Sequence, residues 1–177
     1  MEHKSFPKIA RLSRRCIITE KIDGTNAMVH ITPDLEVLAG SRNRHITLKN
    51  DNYGFAAWVM RNKEELLKLG VGTHYGEWWG QGIQRKYGMK EKVFSLFDVV
   101  KWSHESTVPE CCRVVPVLFD GMFDSVNIDL CLAELKINGS VAAPSFMDAE
   151  GIVIYHTASK TMFKKTIKND HKPKVEV

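Results

Sequence analysis

Short apolar runs parted by turn residues dominate the chain. CIITEKI (16–22), AMVHIT (27–32) and LEVLAGSR (35–42) are apolar or alternating, with Gly24-Thr25-Asn26 and Pro33-Asp34 between them. That pattern predicts three strands of an antiparallel meander. The period then changes: Phe55, Trp58, Val59, Asn62, Leu66 and Leu69 recur at helical spacing. Asp51 or Asn52 can cap the start of this helix, and Gly70 and Gly72 end it. Strands are expected again at THYGEWWG (73–80), VFSLFDVV (93–100) and VVPVLFD (114–120). A second helix should run from about Ser125 to Ile137, with Asn138-Gly139 as its stop signal. EGIVIYH (150–156) and TMFKKTI (161–167) straddle the turn segment TASK and read as a hairpin. Because the helices do not alternate with the strands, the expected class is α+β, antiparallel β-sheets flanked by helices.

Composition adds bounds to this picture. With 177 residues and no repeat, low-complexity stretch or internal boundary, residues 1–177 are expected to form one domain. No apolar run reaches the length of a membrane span, and MEHKSFPKIARLSRR has no signal-peptide core, so no membrane partner is expected and the cytoplasm is the expected location. Cys16, Cys111, Cys112 and Cys131 form no CxxC pair, which favours reduced thiols over zinc or disulfides. The net charge of +4 is concentrated: between Lys160 and Val177 six lysines face two acids, giving a basic tail from about residue 168. KSFPKIARLSRR and QRKYGMKEK (84–92) are further basic runs. Such runs are footholds for phosphates or simply solvated faces.

Several polar groups sit where an apolar pattern would not place them. Lys21 ends the first strand beside Cys16-Ile17-Ile18, and an amine whose charge is disfavoured by burial or nearby cations is a nucleophile. Asp23 is placed to orient or deprotonate it, and Gly24 lets backbone come close to a phosphate. By itself this KxDG tetrad is equally an ordinary surface turn. Arg42, in Ser41-Arg42-Asn43-Arg44, offers a forked grip on phosphate or ribose. Glu77, in aromatic YGEWWG, needs a sugar hydroxyl, a metal or a lysine as partner. Phe97 can stack on a base or serve as core, and Glu150 can hold Mg²⁺ through oxygen or face water at a turn. Lys164 either faces a triphosphate or lies on the solvent side of an edge strand.

In order along the chain these groups read KxDG, SR, GE, FDV, EGIVI and FKK. This ordered set, spanning residues 20 to about 168, resembles the covalent nucleotidyltransferase superfamily of polynucleotide ligases and messenger-RNA capping enzymes. Within it, EKIDGTN carries Asn26 where DNA ligases typically carry arginine, and so resembles RNA ligases that seal nicks in RNA duplexes. GEWWGQGIQRKYG is similar to the glutamate segment of a phage-type RNA ligase family.

The resemblance implies the adenylation-domain fold and an ATP-dependent RNA ligase working through a lysine–AMP intermediate to join 5′-phosphate and 3′-hydroxyl ends. It implies Lys21 as nucleophile, Glu20 at the adenine edge, Asn26 and Arg42 on phosphate or ribose, and Phe97 stacked on adenine. Glu77 would bind the ribose hydroxyls, Glu150 with Glu77 would serve Mg²⁺ or Mn²⁺, and Lys164 would contact the α-phosphate. Arg85, Lys86, Lys168 and the N-terminal arginines are the expected contacts to the nucleic acid.

Two features depart from the superfamily pattern. Where many relatives have lysine-any-lysine, Lys164 is followed by Lys165 and Thr166, which leaves Lys165 or Lys168 as the second lysine, or none. No room remains after residue 168 for an OB-fold or helical domain, so a core without an OB domain is expected, with a partner protein as one way to supply the clamp. The alternatives are a minimal ATP-dependent DNA-nick ligase, a GTP-using capping guanylyltransferase and a non-catalytic nucleotide- or end-binding module. A virus- or phage-encoded origin is compatible with the phage-type motif.

Overall fold

In the computed structural model, which describes residues 5–104 and 107–171, the chain builds two β-sheets. β1 (Arg15–Lys21) starts the first sheet. The chain then forms β2 (Thr25–Ile31), β3 (Val37–Ser41), β4 (His45–Ile46), β5 (Gly72–Gly80), β6 (Lys92–Leu96) and β7 (Cys112–Val114), which make the second. It returns to the first with β8 (Val117–Met122), β9 (Gly151–His156) and β10 (Thr161–Thr166). The strand orders are β10-β9-β1-β8 and β4-β3-β2-β5-β6-β7, antiparallel throughout except for the parallel β6–β7 pair. The expected α+β class, with antiparallel sheets and helices outside them, is what forms.

Each sheet is covered by its own helix. α1 (Phe55–Arg61) lays Phe55 and Val59 against Trp78, Phe94, Ala27 and Val29 of the six-stranded sheet. α3 (Ser125–Asn138) lays Leu132 and Leu135 against Cys16, Ile18, Ile152 and Ile154 of the four-stranded one. A third cluster joins the sheets to each other through Ile22, Trp79, Tyr87, Val93, Val115 and Ala143. β1 is buried on both faces because it is central, which explains why CII is a continuous apolar run and not an alternating one. The cysteines are all free thiols, and among the described residues no helix is long and apolar enough to cross a membrane.

The structure corrects three sequence expectations. The helix expected from 51 to 70 breaks at Asn62, where φ is −106° and the side-chain Nδ2 donates to the Trp58 carbonyl. An asparagine amide competes for helix carbonyls in this way, and only α2 (Lys63–Leu66) and a 3-10 turn at Leu67–Leu69 follow. Asp51 still acts as the expected cap, accepting the N–H groups of Ala56 and Ala57. The strand expected over 93–100 ends at Leu96. The strand expected over 114–120 is two strands in different sheets, because Pro116 has no N–H to continue a ladder. β4 was not anticipated, being only two residues long.

The chain therefore crosses between the sheets at 22–24 and at 115–116, and these crossings touch: the Glu20 N–H donates to the Pro116 carbonyl (2.9 Å). At the first crossing Gly24 is pressed against β5. A Cβ there would lie 2.5 Å from the Trp78 carbonyl oxygen and 2.7 Å from the Trp79 Cβ. Gly24→Ala should therefore lower stability by about 1–3 kcal/mol, the range for overpacking, read as a fall in Tm of roughly 3–10 °C.

Candidate active site

Lys21 is the last residue of β1, at the point where the chain leaves one sheet for the other. Its cross-strand neighbour on β9 is Gly151, which brings Glu150 alongside. Lys21 Nζ donates to Glu150 Oε2 at 2.6 Å, with the lysine side chain 19% and the glutamate 5% exposed. The pair is shielded from water yet open on the lysine side.

The six-stranded sheet supplies the opposite wall. Asn26 and Glu77 are cross-strand partners on β2 and β5. Arg42 and Arg44 come from the β3–β4 turn, and Asn52 Nδ2 donates to Thr25 Oγ1 at 3.1 Å. Together with Lys21, Asp23 and Gly24 these groups line a cleft of about 540 Å³. Two guanidinium groups, asparagines and a lysine amine at one mouth make it suited to an anionic, hydrogen-bonding ligand.

Glu77 Oε1 accepts the Gly24 N–H at 2.9 Å. Burial pushes its carboxyl up to about 7, the Lys21 charge and the Gly24 N–H pull it back, and Glu150 and Asp23 raise it further. Glu77, Glu150 and Asp23 offer hard carboxylate oxygens, the donors Mg²⁺ takes alongside substrate phosphates. The donor chemistry thus fits a divalent cation, although among the described residues no preformed cluster of three or more His, Cys, Asp or Glu exists.

Other expected residues fall elsewhere. Glu20 is 1% exposed and points to the α3 side of β1. Its carboxylate accepts from Ser140 Oγ (2.5 Å) and from the N–H groups of Val141 (2.9 Å) and Ala142 (2.8 Å). Its oxygens are spent on holding the turn after α3, and the cleft does not include it. Lys164 pairs with Val153, which pairs with Thr19, so it shares the sheet face of Lys21 and is exposed. Lys165, one residue on, faces α3 and donates to Asp129 at 2.8 Å. Thr166, not a lysine, aligns through Gly151 with Lys21. Phe97 lies just beyond the end of β6 and is 38% exposed. Lys86 is exposed, Lys168 donates to Asp148 at 2.6 Å, and Arg85 is engaged by Asp23 and Asp148. The tail beyond residue 171 lies outside the described residues.

Sequence reasoning missed Tyr87, Asp148, Ser140, Arg44 and Asn52. Ser140 and Asp148 act across 120 and 63 residues of chain, a range at which no local pattern signals a contact. A tyrosine inside the basic QRKYG run was the one hint at Tyr87, since a tyrosine hydroxyl that becomes buried needs a partner.

Glu77 gives a pH test. Its carboxyl holds a proton more tightly folded (about 7) than at its ordinary value of 4.5. Stability from this group is therefore present below about 4.5 and lost as pH rises to about 7. Without divalent cations, Glu77→Gln should raise Tm at pH 8 by roughly 3–8 °C, with the gain shrinking towards pH 5.

The fold has counterparts among known proteins. A variant of the Naegleria gruberi RNA ligase with ATP and manganese aligns with 89% of this chain at a TM-score of 0.62 and 22% identity. A second variant with ATP and manganese gives 89%, 0.62 and 23%, and a third with AMP and manganese gives 88%, 0.60 and 22%. The alignments take in 51%, 51% and 50% of those ligases, so this chain spans about half their length. None of the curated proteins matches it. A family model described as RNA ligase matches residues 14–168, from the start of β1 past the end of β10. The chain belongs to the RNA ligase family.

Proposed function

We propose that the chain is the nucleotidyl-transfer unit of an ATP-dependent RNA ligase, with Lys21 as its nucleophile. The observation that carries this reading is the Lys21–Glu150 pair at the mouth of a cleft walled by Arg42, Arg44, Asn26 and Glu77. Solved relatives that carry ATP or AMP with manganese support the choice of nucleotide and cation.

In the first step Lys21 Nζ attacks the α-phosphorus of ATP. An N–P bond forms, the α–β bridging P–O bond breaks and pyrophosphate leaves, and the lysine nitrogen gives up two protons, one to become a neutral nucleophile and one on forming the phosphoramidate. Glu150 Oε2, 2.6 Å from the nitrogen, is within reach to take the first, and the second goes to water or to the departing pyrophosphate. The AMP then passes to a 5′-phosphate, and a 3′-hydroxyl displaces AMP to form the new phosphodiester. Every step moves a phosphoryl group, so the protein's task is alignment and charge neutralisation. When bound, Mg²⁺ or Mn²⁺ supplies positive charge to the phosphates, and Glu150 and Glu77 are the residues that would hold it.

The other roles belong to the same reading. Arg42 and Asn26 face the sugar or phosphates from the cleft wall, and Glu77 has a free oxygen edge for ribose hydroxyls. Lys164, on the Lys21 face of the sheet, suits the α-phosphate. Lys165 points away, so it is given no nucleotide contact, and Lys168 is the better second lysine. Phe97 stacks on adenine. Lys86 and Arg11 with Arg14 meet the polynucleotide backbone, and the cytoplasm is the place of work. Asn26, beside Glu77 on the neighbouring strand, stands where DNA ligases typically carry arginine, which supports RNA over DNA.

Incubation with α-labelled ATP, GTP or NAD⁺ and Mg²⁺ tests the reading. Label from ATP should survive denaturing electrophoresis, and Lys21→Ala should abolish it, a loss of at least about 10³-fold. Absence of label from any nucleotide would leave only a binding module. Sealing should favour nicks with RNA at the 3′-hydroxyl side, and equal sealing of all-DNA nicks would return the chain to the DNA-nick reading.

A further inference from the structure

The loop at 81–91, which joins β5 to β6, folds back over the crossing at 22–24. Gln84, Lys86 and Tyr87 all adopt left-handed backbone, with φ of 42°, 60° and 49°. Such residues persist only where surroundings over-determine them. Here the anchor is the buried Tyr87 ring, edge-on to Trp79 (5.0 Å between centroids) and tilted against Phe146 (4.6 Å). The Tyr87 hydroxyl accepts the Asp23 N–H at 2.8 Å.

Arg85 completes the attachment. Its Nε donates to Asp23 Oδ2 at 3.0 Å, and its Nη1 donates to the Asp148 carbonyl (2.9 Å) and to Asp148 Oδ2 (2.7 Å). Asp148 stands two residues before Glu150, at the approach to β9. Lys168 Nζ holds the other carboxylate oxygen of Asp148 at 2.6 Å. One guanidinium rooted in the six-stranded sheet thus grips both the Lys21–Gly24 crossing and the segment that delivers Glu150 from the four-stranded sheet. The fork geometry matters: a guanidinium can donate in two fixed directions at once, and an ammonium cannot hold both partners as rigidly.

We propose that Arg85 is a positioning residue, a clasp that fixes Lys21 and Glu150 relative to Glu77, and not a contact to the polynucleotide. This inference rests on the ligase reading above. Its effect is on the alignment of the nucleophile, in a reaction where a 1 Å displacement is costly.

The test uses the full chain with Arg85→Ala, Arg85→Lys and Asp148→Asn. Lysine adenylylation is followed in single turnover without RNA, binding of a nicked RNA duplex is titrated against salt, and Tm is recorded. Arg85→Ala should lower the maximal adenylylation rate about 10-fold or more, with half-saturating ATP within about twofold. The salt dependence of duplex binding should be unchanged. Arg85→Lys should restore part of the rate and Asp148→Asn should lose part. A normal adenylylation rate with a salt slope reduced by about one would overturn the proposal and make Arg85 a phosphate contact. A lower Tm with a normal rate per folded molecule overturns it too.

If the wild-type chain takes no label at all, the ligase reading fails first and separately. Hydrogen exchange then decides the clasp. Faster exchange at the Asp23 and Gly24 amides in Arg85→Ala, with β1 and β9 still protected, supports it, and unchanged exchange sinks it.

Discussion

The cleft depends on how closely one stretch of backbone, Ile22 to Gly24, approaches strand β5. The missing Cβ of Gly24 lets its N–H reach Glu77 Oε1 while its Cα lies against the Trp78 carbonyl. That contact holds the crossing from the first sheet against β5 of the second. Lys21 belongs to one sheet and Glu77 to the other, so their mutual placement is inherited from it. A hydrogen bond to a carboxylate in a partly dehydrated site is stronger than one between neutral groups. The same bond therefore holds the crossing and limits the penalty of burying Glu77.

Adjacent residues do opposite work at this point. Glu20 and Lys21 differ by one position, and the pleat turns them to opposite faces of β1. Glu20 is fully hydrogen-bonded on the α3 side and needs nothing from a ligand. Lys21 has one carboxylate beside it and an open cleft in front. The same alternation separates Lys164 from Lys165. On the α3 side these polar groups are engaged by the fold, Glu20 by Ser140 and two backbone N–H groups and Lys165 by Asp129, whereas Lys21 borders the cleft and Lys164 shares its face of the sheet.

What could be read from the sequence follows from what is local. The β1 and β9 strands, the hairpin to β10, α3 with its Gly139 stop and the cap at Asp51 all carry signals within a few residues. Of the residues in the ordered motifs, Lys21, Asp23, Asn26, Arg42 and Glu77 line one cleft, with Glu150 against the lysine. The failures arise where a decision is made elsewhere in the fold. Asn62 breaks a helix whose apolar spacing continues past it, because one side-chain amide captures a carbonyl. Pro116 divides an apolar run between sheets, which only the pairing partners reveal. The face of Lys165 is fixed by register, and the partners of Arg85 lie 62 and 63 residues away. A basic run gave no way to tell an arginine facing acids from one facing solvent.

The bond between the Glu20 N–H and the Pro116 carbonyl ties together the only two chain connections that join the sheets among the described residues. Two connections held side by side mean that the backbone passes between the sheets at one place, and Lys21 stands one residue from it, whereas Arg42 and Arg44 are reached only through the length of β2 and β3. The position of the lysine relative to the second sheet is therefore set by a very short path of covalent and hydrogen-bonded links, and that of the two arginines by a long one.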